Sequence, residues 1–306
     1  MCNVFEFKIK KYNEDGMSHL PISVQAILNF VPDQQNGNYL DVTGGGGGHV
    51  EAFLNLKNHW NVEVWDTDPE AVQRLRLKFS DLISKRQVGV LHRNFRIGPD
   101  QKDLMFDFIL ADLGVSSFQL DDKSRGLSLF SETPVDFRLN PMEGPSFLEW
   151  LNAQSESQLC EILERFGDEP KAKRAAKFLK ESPVEIFSSA KKLAERIGEV
   201  LQYGAPSRIH PATRIFQALR IAVNDEWGAL DSLLSWAPKQ LKVGGCLAML
   251  TFHSIEDGRV KNAFRDLAAG HSFDILTKKP LVPSDKEILE NPRSRSAKLR
   301  VLRRAS

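Results

Sequence analysis

Five consecutive glycines at residues 44–48 join an apolar, β-rich run to a stretch of helical composition that begins near His49, in YLDVTGGGGGHV. Lacking a Cβ, glycine adopts positive φ and lets a ligand come close to its backbone N–H groups, so a glycine run at a strand-to-helix junction has the form of a cofactor loop. A flexible surface loop is the plain alternative, but ordering five glycines without a use costs conformational entropy. Some twenty residues further on, a second strand ends in WDTDP, which brings Asp66 to where a carboxylate accepts hydrogen bonds from the ribose hydroxyls of an adenosine cofactor. Nicotinamide dinucleotides and S-adenosylmethionine both use such loops. Asp41, at the end of the first strand, would repel a pyrophosphate and suits the ammonium of a methionine moiety, and no Walker lysine follows the glycines. These residues favour S-adenosylmethionine, with a nicotinamide-dependent oxidoreductase kept as an alternative.

A fourth apolar run, FDFILA, leads into Asp112 and the loop LGVSS. In an open α/β sheet the carboxyl ends of the strands line the ligand crevice, so Asp112 faces the reactive end of the cofactor. Methyl transfer from a sulfonium gains most from alignment of nucleophile, methyl carbon and sulfur. An exocyclic amine needs more, because its lone pair is delocalised into the base, and an acceptor for its protons favours the pyramidal nucleophile. Asp112 fits that catalytic role; holding the cofactor and capping a helix are the other two readings. His253, in TFHSIED after the fifth strand, either contacts the acceptor base as a second catalytic candidate or caps the helix that follows. At 100° per residue, Thr213, Gln217, Arg220 and Asn224 form one polar stripe opposite Ile215, Ala218, Leu219 and Ala222, suited to RNA binding or to plain solvation. Two basic runs, Lys171, Lys173, Arg174, Lys177 and Lys180, then Arg293, Arg295, Lys298, Arg300, Arg303 and Arg304, are candidates for phosphate contacts.

These groups need a scaffold. Strand-like runs at residues 39–42, 62–65, 88–91 and 106–111 alternate with helical stretches, the pattern of β-α-β units in a parallel sheet. The alternation stops at residues 117–209, which read as a polar, helical insertion, and resumes with a Gly244-Gly245 turn, a strand at 246–252 and further strands near 273–276 and 299–302. The expected organisation is a discontinuous sheet domain, 1–116 and 210–306, interrupted by a helical substrate-recognition domain, 117–209.

At 306 residues and 42% apolar side chains the chain can bury one full core and a smaller one. With 41 Lys and Arg against 40 Asp and Glu, any RNA surface must come from local clustering. Cys2, Cys160 and Cys246 lack metal-ligand or redox spacing, so neither a metal site nor a disulfide framework is expected. The start, MCNVFEFKIKKYNEDG, has no long apolar stretch and no later run approaches a membrane span, which gives the expectation of a cytoplasmic protein without a membrane partner.

DVTGGGGGH, ADLGVSSFQLDD, HPATRIFQALRIAVNDE, TFHSIEDGRVK, TKKPLVPSDKEILENPRSRSAKLRVLRR and a fainter HLPISVQAILNFV together resemble the ribosomal RNA small subunit methyltransferase H family, also called MraW. The resemblance implies a class I S-adenosylmethionine-dependent methyltransferase (Rossmann-like) α/β sheet with an inserted helical domain. It implies methylation of the 4-amino group of a cytidine in the decoding region of 16S ribosomal RNA, with that RNA or the small ribosomal subunit as partner. It also implies cofactor contacts at Gly47, Gly48, His49, Asp66, Phe95, Asp112 and Gln119, with Phe95 against the adenine ring. A non-catalytic RNA-binding ribosome-assembly factor is a further alternative, and a homo-oligomer stays open. The loop departs from the family's TFGRGGH, the arginine position being Gly46, so a more mobile loop and weaker cofactor binding are expected.

Overall fold

The computed structural model describes residues 20–101, 103–201 and 210–305. The readings of residues 1–16, of Cys2 and of the insertion's end at residue 209 lie outside them. Seven strands form one sheet in the order β3-β2-β1-β4-β5-β7-β6. β1 (Asn38–Asp41), β2 (Asn61–Asp66), β3 (Val88–His92), β4 (Phe106–Asp112) and β5 (Leu241–Thr251) are parallel, and β7 (Lys298–Arg304) runs antiparallel between β5 and β6 (Phe273–Ile275). A parallel, doubly wound sheet with one antiparallel strand inserted beside the fifth is the class I methyltransferase arrangement. Strand order reverses between β1 and β4, which opens a crevice beyond their carboxyl ends.

β4 is apolar from Phe108 to Ala111 because both of its faces are covered there. Phe108 and Leu110 pack with α1 (Val24–Leu28), α2 (Gly48–Leu56) and α3 (Pro69–Lys78), next to α4 (Ser80–Ser84); Ile109 and Ala111 pack on the opposite side. α3 starts where Asp68 accepts from the Glu70 N–H, with Pro69 in its first turn.

The chain then leaves the sheet through α5 (Ser117–Asp121), α6 (Phe147–Ala153), α7 (Glu156–Gly167), α8 (Ala172–Glu181) and α9 (Ala190–Leu201). Reciprocal capping boxes, Ser146 with Glu149 and Ser155 with Gln158, begin α6 and α7. These helices build a hydrophobic core of their own, and α10 (Ala212–Asn224) contributes Ala212, Ile215, Phe216, Ala218 and Leu219 to it. The sequence reading groups residues 210–224 with the sheet; the apolar face of α10 is instead spent on α7 and α9, and the return to the sheet is made by α11 (Glu226–Trp236). There Leu230, Leu233 and Leu234 join Val260 and Phe264 of α12 (Ser254–Ala269) on the second face of the sheet. The expected Gly244-Gly245 turn is instead an irregularity inside β5, with Gly244 at φ 81° and a shift in the β4–β5 register between Phe106 and Phe108. α13 (Asp285–Glu290) precedes β7. No helix among the described residues is long and apolar enough to cross a membrane.

Candidate active site

A cleft of about 1850 Å³ lies over the carboxyl ends of β1, β2, β4 and β5, between the sheet and the helical core. Gly48, His49, Asp66, Phe95, Asp112, Gln119 and His253 line it from the sheet side, and Thr213, Gln217, Arg220 and Asn224 from α10. Residues scattered over two hundred positions thus converge because each follows a strand at the same sheet edge or sits on one face of α10.

The glycine loop is tied down by Asp66, whose Oδ2 accepts from the Gly45 N–H at 2.7 Å and Oδ1 from the Asp68 N–H at 2.9 Å. Burial pushes the Asp66 carboxyl up to about 6, against the pull of those two N–H groups. Gly47 does not line the cleft. Its φ of 72° and its position under Phe79 and Leu75, where a Cβ would come within 2.9 Å of Leu75 Cδ2, make it the bend that starts α2. Its N–H is bound to the Gly44 carbonyl at 2.8 Å, so it serves the turn.

The loop is not left slack by the loss of the family's arginine. A Cβ on Gly46 would fall 2.3 Å from Phe118 Cε2, so the Phe118 ring occupies the space a side chain would take, and the Arg74 guanidinium lies 4.8 Å from the centre of that ring. Gly46→Ala is expected to weaken cofactor binding about tenfold by displacing Phe118, and Phe118→Ala in the same chain to restore most of it. Calorimetric titration of the two single variants and the double would show it; additive losses would mean that the two residues do not share this space.

Asp41 does not face the cleft. It is 1% exposed beneath the loop, where Oδ2 accepts from the Tyr39 hydroxyl at 3.0 Å and Oδ1 from the Thr43 N–H at 3.0 Å. The ammonium contact expected of it is thereby spent inside the protein. Thr43 links it to the next strand, since Thr43 Oγ1 accepts from the Asp112 N–H at 2.7 Å.

Asp112 ends β4 with Oδ1 buried and without a hydrogen-bond partner among the described residues. Its Oδ2 is 3.8 Å from His49 Nδ1. His49 Nε2 lies 2.9 Å from the Ile22 carbonyl, which can only accept, so that nitrogen carries hydrogen and Nδ1 is turned toward Asp112. Burial raises the Asp112 carboxyl to about 6, opposed by His49 and assisted by Asp41. Asp112 caps no helix, because Ser116 caps α5 in a capping box with Gln119. Gln119 is committed elsewhere too: its Nε2 donates to Asp68 Oδ2 at 2.9 Å, beside Arg125 Nη1 on the same oxygen at 2.9 Å.

His253 caps a helix and borders the cleft. Its Nδ1 accepts from the Glu256 N–H at 3.3 Å as the cap of α12, and its ring lines the cleft. Burial, then the Arg220 charge, push it down to about 4. Glu256, which accepts from the Phe252 N–H at 2.9 Å, is pushed up to about 7 by burial.

On α10, much of the polar stripe is engaged within the protein. Gln217 donates to the Phe166 carbonyl at 3.2 Å, Arg220 grips Glu226 at 2.7 and 3.0 Å, and Asn224 donates to the Phe137 carbonyl at 2.7 Å while accepting from the Leu139 N–H at 2.8 Å. The C-terminal basic run is likewise mostly paired: Arg293 with Asp121, Lys298 and Arg300 with Asp257, Arg303 with Asp274. On β7, Arg300 is buried against Asp257, whereas Arg303 is exposed beside Asp274. Of the lobe's run, Lys180 donates to the carbonyls of Leu151 and Gln154 at the end of α6, and none of the five residues lines the cleft.

The sequence model of the MraW methylase family matches residues 16–305. A protein of Cyanothece sp. called ribosomal RNA small subunit methyltransferase H is 40% identical over 293 residues, covering 95% of this chain and 96% of its own length. A Synechococcus sp. protein of the same name is 41% identical over 300 residues, with 94% and 95% covered. One from Acidobacterium capsulatum, again of that name, is 36% identical over 292 residues, with 92% and 97% covered.

Proposed function

The chain belongs to the MraW methylase family, and from that premise we propose that it transfers a methyl group from S-adenosylmethionine to the 4-amino group of a cytidine in the decoding region of 16S ribosomal RNA. The observation that carries the chemistry is Asp112 Oδ1, a buried acceptor with no partner among the described residues, on a side chain that lines the cleft beside the glycine loop. The residues suit this cofactor. Asp66 stands at the end of β2 for the ribose hydroxyls, Phe95 offers a flat apolar ring for adenine, and Gly48 and His49 bring the start of α2 to the cleft. S-adenosylmethionine, when bound, supplies a methyl group activated by its sulfonium.

The protein's own part is to align and to accept. Asp112 Oδ1 would accept an amine N–H of the base in a hydrogen bond, which frees the nitrogen lone pair from the ring, and would take that proton as the nitrogen gains the methyl carbon and the carbon parts from sulfur. His49 Nδ1 stands 3.8 Å from the other oxygen, beyond hydrogen-bond reach. The helical core, with α10 forming the far wall, is the substrate side of the cleft, where an unpaired nucleotide of the small subunit enters. Such a protein acts where small subunits are assembled, in the cytoplasm.

Incubation of unmodified small ribosomal subunits with labelled S-adenosylmethionine, followed by nuclease digestion and mass analysis of the nucleosides, tests this reading. Label on the amine of one cytidine is the expected outcome. Label on another base, or on ribose, would overturn the assignment of the acceptor.

A further inference from the structure

Two buried polar atoms at the carboxyl edge of the sheet have no hydrogen-bond partner among the described residues, and both belong to side chains that line the cleft: Asp112 Oδ1 and His253 Nε2. They are opposite in kind. A carboxylate oxygen accepts. His253 Nδ1 is already occupied in accepting the Glu256 N–H, so the proton of the neutral ring sits on Nε2 and makes it a donor. The ring is neutral near pH 7, since burial and the nearby Arg220 hold it at about 4. Glu256 Oε1, 3.7 Å from Nε2, is too far to satisfy that donor. Asp112 ends β4, and His253 follows the end of the neighbouring strand β5 by two residues, Asp112 pairing with Leu250. Leaving a donor and an acceptor both unsatisfied costs folding free energy, which a ligand carrying the complementary pair would recover.

We propose that His253 Nε2–H donates to ring N3 of the target cytosine while Asp112 Oδ1 accepts from its 4-amino group, so that the cleft reads the donor–acceptor edge that separates cytosine from uracil. The proposal rests on the cytidine reading given above. Uracil presents the reverse pattern, a carbonyl to the carboxylate and an N–H to the imidazole N–H, so both contacts turn repulsive. A neutral donor also suits the chemistry: it orients N3 without placing a full charge on the ring, which would drain the amine's lone pair. His253 is then a recognition residue as well as a helix cap.

Capping and recognition separate in His253→Asn. Asparagine is a strong N-cap acceptor, but its amide does not extend to where the imidazole Nε2 lies. The expected result is a melting temperature and an S-adenosylmethionine Kd close to the parent protein's, with kcat/KM for unmodified small subunits lower by about 10–100-fold. The parent protein acting on subunits that carry 3-deazacytidine at the methylated position, where C–H replaces N3, should lose the same factor, and His253→Asn should lose nothing further on that RNA. The 3-deazacytidine measurement needs no folded variant. Full turnover by His253→Asn, full turnover of the parent on 3-deazacytidine, losses that multiply, or a fall in cofactor affinity that accounts for the loss would each overturn the proposal. Failure of the cytidine reading shows separately, as methyl on another site in the parent reaction with unmodified subunits.

Discussion

Asp112→Ala lowers the methyl-transfer rate by about 10²–10⁴-fold at saturating S-adenosylmethionine, with the fold retained, if its carboxylate is the acceptor for the amine protons. The magnitude follows from what is lost: a pre-aligned acceptor in a buried setting, with nothing else on β4 to replace it, since the Asp112 N–H is bound to Thr43 and the next side chains are Leu113 and Gly114. Saturating cofactor is part of the measurement, because a residue that only held the cofactor would raise its KM and leave kcat nearly unchanged. A kcat within a few-fold of the parent protein's would remove Asp112 from the chemistry.

The same carboxylate makes two pH-dependent outcomes testable. Only its ionised form accepts a proton, so kcat/KM rises as pH passes through about 6 and then levels, and Asp112→Asn, which does not titrate, loses that limb. Stability runs the other way. The folded protein binds this proton more tightly than the unfolded chain, so the stabilisation is complete below pH 3.8 and is lost as pH rises through about 6. Asp112→Asn should therefore be more stable than the parent at pH 7.5, by on the order of 1–2 kcal/mol once the 26% exposure of the side chain is allowed for. A stabilised and impaired variant is the signature of a charge kept buried for use. Urea titrations of both proteins at pH 5 and pH 7.5 would show a gap that widens with pH; a constant gap would mean that the carboxylate is not strained.

The sheet was legible in the sequence because its strands stand out as apolar, β-rich bursts, and the carboxyl ends of two of them carry the acidic residues Asp66 and Asp112 that line the cleft. The break in that rhythm after β4 coincides with helices α5 to α9. What the sequence could not display was where a side chain points once a strand is placed. Asp41 and Asp112 each end a parallel strand beside the same loop, yet one is locked under it by Tyr39 and Thr43 and the other lines the cleft. The sequence preference for S-adenosylmethionine over a dinucleotide leaned on Asp41; it is the family membership that carries it. Charge runs misled for a similar reason, since Arg300 is counted as basic surface in the sequence and is 5% exposed against Asp257 in the fold. α10 was read correctly as an amphipathic helix and grouped with the wrong core, because its apolar face fits either and only tertiary packing decides.

Asp68 shows the remaining gap, and it predicts the largest loss of stability. Its place before Pro69 marks it as the cap of α3, worth about 1 kcal/mol by itself. The fold adds what no spacing announces: fully buried, Asp68 also accepts from Gln119 Nε2 and Arg125 Nη1, and Arg125, with a side chain 7% exposed, donates its other amino group to the Leu139 carbonyl at 2.9 Å. Asn224 of α10 binds the Leu139 N–H, so one chain of bonds runs from the second strand of the sheet to the helical core. Removing one partner of a buried ion pair strands the other, so Asp68→Ala should lose about 3–5 kcal/mol. Arg125→Met, which removes the stranded charge and keeps an apolar stem, should lose less, and Asp68→Ala combined with Arg125→Met should be more stable than Asp68→Ala alone. That reversal is the decisive observation in denaturant titrations, because a cap and nothing more would make the two changes additive. Cofactor affinity should fall in Asp68→Ala as well, since Gln119, which lines the cleft, would lose the partner that fixes its amide.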